Sequence, residues 1–164
     1  MLRPYPVLCR RLCAFCLLLI FHGTGFSADV DIEEVASEYF ATYAARKDFD
    51  KFMSFYDEQA VVKDVICDVE VSGIDAIRNF FDWNRGEFET VAAGPIMDLK
   101  RQIISDRTVI SAGVFLAFDF DGEKLGPWEF IIWQGYSNTG KIILQKDWIN
   151  YSPKKILIGP QADP

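Results

Sequence analysis

The chain is expected to fold as one α+β domain, with three helices in its first half and a meander of long strands in its second. Two observations predict this order. Between Asp31 and Phe81 apolar residues recur at spacings of three and four, whereas from Leu99 onward they run in long β-branched and aromatic stretches. Helices placed ahead of the strands, rather than alternating with them, argue for helices laid on one face of a mostly antiparallel sheet.

The first helix spans about Asp31 to Lys47. Ile32, Val35, Ala36, Tyr39, Phe40, Tyr43 and Ala44 form its inward stripe. Asp31, Glu33 and Glu34 suit its start, and Arg46 and Lys47 suit its end. Asp48 caps a short second helix running to Tyr56, with Phe52, Phe55 and Tyr56 inward. Ser72 followed by Asp75 reads as a capping box that opens a third helix, with Ile74, Ile77, Phe80 and Phe81 on its buried face. A short strand pair between Ala60 and Val71 links the second and third helices. Glu87 to Pro95 reads as a loop. The long strands are Leu99–Ile104, Val109–Phe120, Trp128–Tyr136 and Lys141–Tyr151, with Asp121-Gly122 and Asn138-Thr139-Gly140 as turns.

Both faces of these strands are apolar. Val114, Leu116 and Phe118 alternate with Phe115 and Ala117, and Phe130-Ile131-Ile132-Trp133 has no polar residue. A sheet covered on one side only should alternate with polar residues, so the outer face is expected to meet a second copy of the chain as a homodimer.

Residues 1–28 read as an export signal. Arg3, Arg10 and Arg11 precede an apolar core from Leu12 to Phe21, and small residues from Gly23 to Ala28 suit cleavage after Ala28 or after Gly25. That core is about half of the roughly 20 residues a membrane span needs. The expectation is a periplasmic or secreted domain over residues 29–152, followed by a tail over 153–164, with no membrane association once the signal is removed. Cleavage would leave 14 basic and 24 acidic residues, a net charge of −10, which argues against nucleic acid as a partner. It would also remove Cys9, Cys13 and Cys16, leaving Cys67 without an internal disulfide partner. The one histidine, His22, lies in the same segment. A mature chain without histidine cannot build a Ser-His-Asp or Cys-His triad and lacks the usual zinc ligand; no metal or cofactor is expected.

Any chemistry then falls to carboxylates, tyrosines, a lysine or the thiol. Asp64, in Val62-Lys63-Asp64-Val65, is the leading candidate: a strand-end acid that is either a proton-transfer base or an ordinary turn residue. Aromatic residues such as Phe80, Trp83, Trp128 and Trp133 either line a ligand cavity or fill the core.

The order of elements, together with Asp48-Phe49-Asp50, Phe55-Tyr56-Asp57-Glu58-Gln59-Ala60, Gly73-Ile74-Asp75-Ala76-Ile77-Arg78 and Gly140-Lys141-Ile142, resembles the nuclear transport factor two-like superfamily. Within it, the SnoaL-like and ketosteroid isomerase-like branch is most similar. The resemblance covers about Asp31 to Tyr151. It implies a cone: a strongly curved, mostly antiparallel sheet that wraps three helices and leaves an apolar pocket at one end. It also implies that Asp64 stands at the position of the isomerases' catalytic base, while the oxyanion tyrosine of the first helix falls on Phe40. The second oxyanion donor falls on Ile131 or Ile132. Without donors aimed at a developing enolate, a lone base lacks a term on the order of 3 kcal/mol per donor.

A second catalytic branch of similar fold hydrolyses epoxides with an Asp-Arg-Asp set. Its last-strand acid matches Asp147, but its arginine and other acid fall near Ala112 and Val114, and its helper tyrosine and asparagine fall on Val62 and Asp64. Strand alternation places Gln145, Asp147 and Ile149 on one face and Lys146 and Trp148 on the other, and the resemblance implies that the first is the pocket face. The resemblance thus implies Asp64 and Asp147 as the acid pair, and Phe40, Tyr43, Tyr56, Phe80, Trp83, Leu116, Phe118 and Gln145 around a small hydrophobic ligand. Three roles stay open: a binding or scaffold domain; an isomerase-, cyclase- or hydratase-like enzyme using Asp64 with Asp147; and a purely structural part of an assembly.

Overall fold

A computed structural model describes residues 30–151. The expected export signal over 1–28 and the tail over 153–164 lie outside the described residues. The elements run α1 (Ile32–Ala45), α2 (Phe49–Ser54), β1 (Tyr56–Asp64), β2 (Val69–Ser72), α3 (Ile74–Phe81), β3 (Phe88–Thr90), β4 (Met97–Ser105), β5 (Thr108–Phe115), β6 (Phe118–Phe120), β7 (Glu123–Leu125), β8 (Trp128–Tyr136) and β9 (Ile142–Ile149). Helices packed on a large curved sheet make the α+β cone that the resemblance implied.

Local chemistry explains the helix ends. The Asp31 carboxylate accepts from the backbone N–H groups of Glu33 and Glu34, and Asp48 accepts from that of Lys51, so each acid satisfies donors that a helix start leaves unpaired. Helix α1 ends at Arg46, held left-handed at φ 47° with its N–H on the carbonyls of Thr42 and Tyr43. Helix α3 departs from expectation. Ser72 is not its cap, because Ser72 pairs with Val61 in the β1–β2 ladder; Gly73, at φ +84°, makes the turn into the helix instead.

The main sheet has the order β2-β1-β9-β8-β5-β4, antiparallel except for the parallel β1–β9 pair. Register shifts in β1, β4 and β8 mark irregularities of the kind that bend strands. The run Val109–Phe120 is not one strand: it leaves the main sheet after Phe115, where the Leu116 N–H turns to the Ile96 carbonyl. Nor is Glu87–Pro95 wholly a loop, since Phe88–Thr90 pairs with Phe118–Phe120 in a small second sheet of order β3-β6-β7. Three-residue strands carry too little periodicity to be read from sequence.

The core lies between the concave face and the helices. Tyr39, Phe52, Ile77, Val62, Val109, Ile132 and Ile142 are all buried. Alternation along β9 turns Gln145, Asp147 and Ile149 inward, whereas Trp148 is among the exposed large apolar residues.

Candidate functional site

Parallel pairing of β1 with β9 sets Asp64 opposite Asp147, and β9 with β8 sets Asp147 opposite Ile132. Asp64, Asp147, Ile132 and Ser111 therefore form one inward row across four strands, each of them buried. Of the two positions on which the second oxyanion donor could fall, Ile132 is the one beside Asp147, while Ile131 points outward at 49 % exposure. Phe40, at the tyrosine position, stacks on Phe130 with centroids 6.3 Å apart. Both positions are apolar and offer no hydrogen-bond donor.

Asp64 is committed to local bonds. Its Oδ1 accepts from the backbone N–H groups of Ile66 (3.0 Å) and Cys67 (2.9 Å), and its Oδ2 accepts from the Tyr151 hydroxyl at 2.5 Å. Three of the roughly four acceptor sites of a carboxylate are thus filled. Asp64 is thus a turn residue after β1 that is also buried.

Behind the row lies a closed polar network. Gln145 Oε1 accepts from the Tyr39 hydroxyl (3.0 Å), the Tyr56 hydroxyl (2.9 Å) and Gln134 Nε2 (2.9 Å). Its Nε2 donates to both oxygens of Asp147, at 3.0 and 3.2 Å. The Tyr136 hydroxyl completes the set by donating to Gln134 Oε1 at 2.9 Å. The Tyr39 and Tyr56 oxygens also lie 2.9 Å apart, so three contacts around Gln145 Oε1 share two hydroxyl protons. Burial holds the pKa of both tyrosines far above the ordinary value, which keeps them as neutral donors.

Asp147 has its pKa raised from 3.8 to about 7. Burial is the main cause, the Gln145 hydrogen bond opposes it, and the Asp64 charge adds a smaller rise. The two buried acids occupy paired positions on β1 and β9, but neither lines the cavity at the mouth of the cone.

That cavity, of about 280 Å³, opens at the mouth of the cone between α1, β9 and the small sheet. Tyr43, Arg46, Phe88, Phe118, Trp128 and Tyr151 form much of its wall, with Ile96, Phe115, Phe120, Leu125 and Ile149 filling in the rest. Ring contacts run continuously along one side: Phe88 to Phe118 at 5.2 Å, Phe118 to Trp128 at 5.4 Å, and Trp128 to Tyr151 at 5.0 Å. Tyr151 is the link between this cavity and the acids, because its ring lines the space and its hydroxyl binds Asp64.

Of the residues nominated around a ligand, Tyr43 and Phe118 line this cavity. Phe40 is core, and Tyr56 and Gln145 belong to the polar network. Phe80 packs edge-on against Phe81, Trp83 lines a neighbouring cleft, and Leu116 borders a separate hollow with Val91 and Pro95. Arg46, Phe88 and Tyr151 line the cone-mouth cavity too, and the sequence does not point to them. Arg46 read as a helix end, Phe88 sat in an expected loop, and Tyr151 closed the last strand; none carries a motif.

No family model matches the chain, and no curated protein is similar to it. Solved structures are similar in fold. One is a nuclear transport factor two-like protein of unknown function from Burkholderia pseudomallei, 11 % identical over 75 % of this chain and 93 % of that one, with a TM-score of 0.60. A candidate SnoaL-like polyketide cyclase from Shewanella putrefaciens is 13 % identical over 74 % of this chain and 90 % of its own, with a TM-score of 0.57. A candidate ketosteroid isomerase from Kribbella flavida is 11 % identical over 80 % and 83 %, with a TM-score of 0.55. At such identities the likeness shows the fold, which is the nuclear transport factor two-like cone.

Proposed function

We propose that this domain binds a small apolar molecule in the cavity at the mouth of the cone, in a binding or scaffold role, within an exported homodimer. The observation that carries the reading is the cavity itself: a ring-lined space with two buried acids nearby but outside its lining. A cavity of about 150 Å³ is large enough for benzene. At about 280 Å³ the space suits one or two rings and is small for a steroid.

The dimer rests on the outer face. Ile103, Ile110, Ile131 and Trp148 are exposed there, and a hollow of about 780 Å³ runs past Ala112, Val114, Ile131 and Trp148. A second copy seated on this face would remove that apolar surface from water. Export rests on the sequence of residues 1–28 alone.

Native mass spectrometry of the purified protein tests the binding reading. A bound small molecule, lost in a Leu125→Trp variant that fills the cavity, is the expected result. No adduct, and no binding across a lipid, steroid and polyketide panel, would overturn it.

A second reading, an isomerase-, cyclase- or hydratase-like enzyme with Asp64 as base and Asp147 as its partner, is supported by the Asp147 pKa of about 7 beside a second acid. In that case Tyr151 stands between the base and the cavity. Turnover of any panel compound that is abolished in Asp64→Asn would favour this reading over simple binding.

A further inference from the structure

Arg46 is the one charged side chain among the residues lining the cone-mouth cavity, and it also lines the neighbouring cleft of about 730 Å³. Its guanidinium carbon lies 4.4 Å from the Phe88 ring centroid and 5.3 Å from that of Trp83. One nitrogen donates to the Trp83 carbonyl at 3.3 Å. No ion pair among the described residues includes it. A guanidinium has five N–H donors, so most of its hydrogen-bonding capacity is unused.

Half-burial lowers its pKa, with Tyr43 and Asp82 opposing, yet a guanidinium stays charged at any working pH. Asp82 is itself engaged, 3.9 Å from Arg85 and bonded to the Asn84 N–H. Lys47 and Glu89 face the outer cleft with Arg46 and offset each other in sign. The backbone adds a second observation. Arg46 takes the left-handed position where glycine or asparagine is less strained, at φ 47°. A long cation is held there by two ring faces, at the edge of an apolar space.

The sign of that charge selects the ligand. Phe88, Phe118, Trp128 and Tyr151 alone would suit a cation, as aromatic cages do. With Arg46 among them, a cationic ligand is repelled and an anion is attracted. Tyr43 also lines the cavity, its hydroxyl has no hydrogen-bond partner among the described residues, and it is near enough to Arg46 for each to influence the other's ionisation. It supplies a second donor. The Tyr151 hydroxyl has its proton committed to Asp64 and does not compete for an anion.

We propose that the cone-mouth cavity takes a small aromatic or short-chain carboxylate, its apolar body among Phe115, Phe118, Leu125 and Trp128 and its carboxylate on Arg46. This rests on the reading of the cavity as a ligand site. The planar fork of the guanidinium matches a carboxylate in two parallel bonds.

Calorimetric titration at pH 7 with 2-naphthoate and with its neutral isostere 2-naphthamide tests it. The carboxylate should bind about tenfold tighter or more, as expected for charge-assisted hydrogen bonds. Arg46→Gln should erase the preference, bringing the two affinities together, with Arg46→Lys retaining part of it. Equal affinities in the wild type, or a preference that survives Arg46→Gln, overturn the inference while the cavity reading stands. Binding of neither compound overturns both. Should the variants not fold, the wild-type preference must still shrink between about 50 and about 500 mM salt; an unchanged preference overturns the inference.

Discussion

The Tyr151 hydroxyl donates a 2.5 Å hydrogen bond to Asp64 Oδ2, while the ring of the same tyrosine lines the cone-mouth cavity. This contact joins the end of β9 to the end of β1 and places an aromatic wall between the acid row and the ligand space. Burial and the bond to Asp64 both push the Tyr151 pKa upward, so the phenol keeps its proton and acts as donor. Tyr151→Phe should retain the Trp128 ring contact yet leave the buried Asp64 oxygen without that donor. The expected cost is about 1–3 kcal/mol in urea unfolding. A variant as stable as the wild type would show that water replaces the hydroxyl at no cost.

Asp147 gives a pH signature. Its folded pKa of about 7 lies above its unfolded value of 3.8, so the folded state holds a proton that the unfolded chain has already released between those limits. The stability it contributes is therefore complete below about pH 4, falls as pH rises, and levels off above about pH 7. The slope is at most about 1.4 kcal/mol per pH unit. Asp147→Asn keeps an acceptor for Gln145 Nε2 and removes the titration. Urea unfolding of both proteins from pH 4.5 to 8 should give curves that converge toward low pH and diverge as pH rises, the variant being the more stable near pH 8. Parallel curves would contradict the assignment.

Gln145 is the hub of the buried network, and its removal strands several donors at once. Gln145→Leu leaves Tyr39, Tyr56 and Gln134 without their shared acceptor and Asp147 without its two N–H contacts. The expected loss is on the order of 3 kcal/mol or more. In a double-mutant cycle with Tyr39→Phe, the two changes should be strongly non-additive. Additive losses would mean that the network does not act as a unit.

The outer face offers an independent prediction. Trp148→Lys or Ile131→Lys places a charge on the exposed apolar surface of β9 or β8 without touching the inward row. Sedimentation should show a dimer in the wild type and a folded monomer in either variant. A wild type that is monomeric at high concentration would remove the dimer from the account.

How much of this was legible in the sequence differs between elements for physical reasons. Helix α1 repeats its apolar spacing over several turns and carries an acid at its cap, and β8 and β9 are long enough for alternation to fix which side chains share a face. That Gln145 and Asp147 share a face followed from alternation, and that this face is the inward one followed from the resemblance. The polar network they enter did not, because it joins Tyr39, Tyr56, Gln134 and Tyr136 from elements far apart in sequence. Ser72 misled because a serine before an acid at helix spacing resembles a cap, yet its backbone is engaged in the β1–β2 ladder. The cavity wall was the least legible part: Phe88 and Phe118 stack diagonally across paired three-residue strands, and Arg46 is positioned by a left-handed helix end.

The central claim is that the cone-mouth cavity, rather than the acid row or the outer hollow, is the ligand site. Methyl NMR with selectively labelled Ile and Leu tests this most directly, by titrating one-ring, two-ring and steroid compounds of matched polarity. Saturable shifts at Ile96 and Leu125, which line the cone-mouth cavity and not the outer hollow, are expected with the one- and two-ring compounds, and none there with the steroid. Shifts confined to Ile110 and Ile131 on the outer face, or no shift at Ile96 and Leu125 with any compound, would contradict the claim.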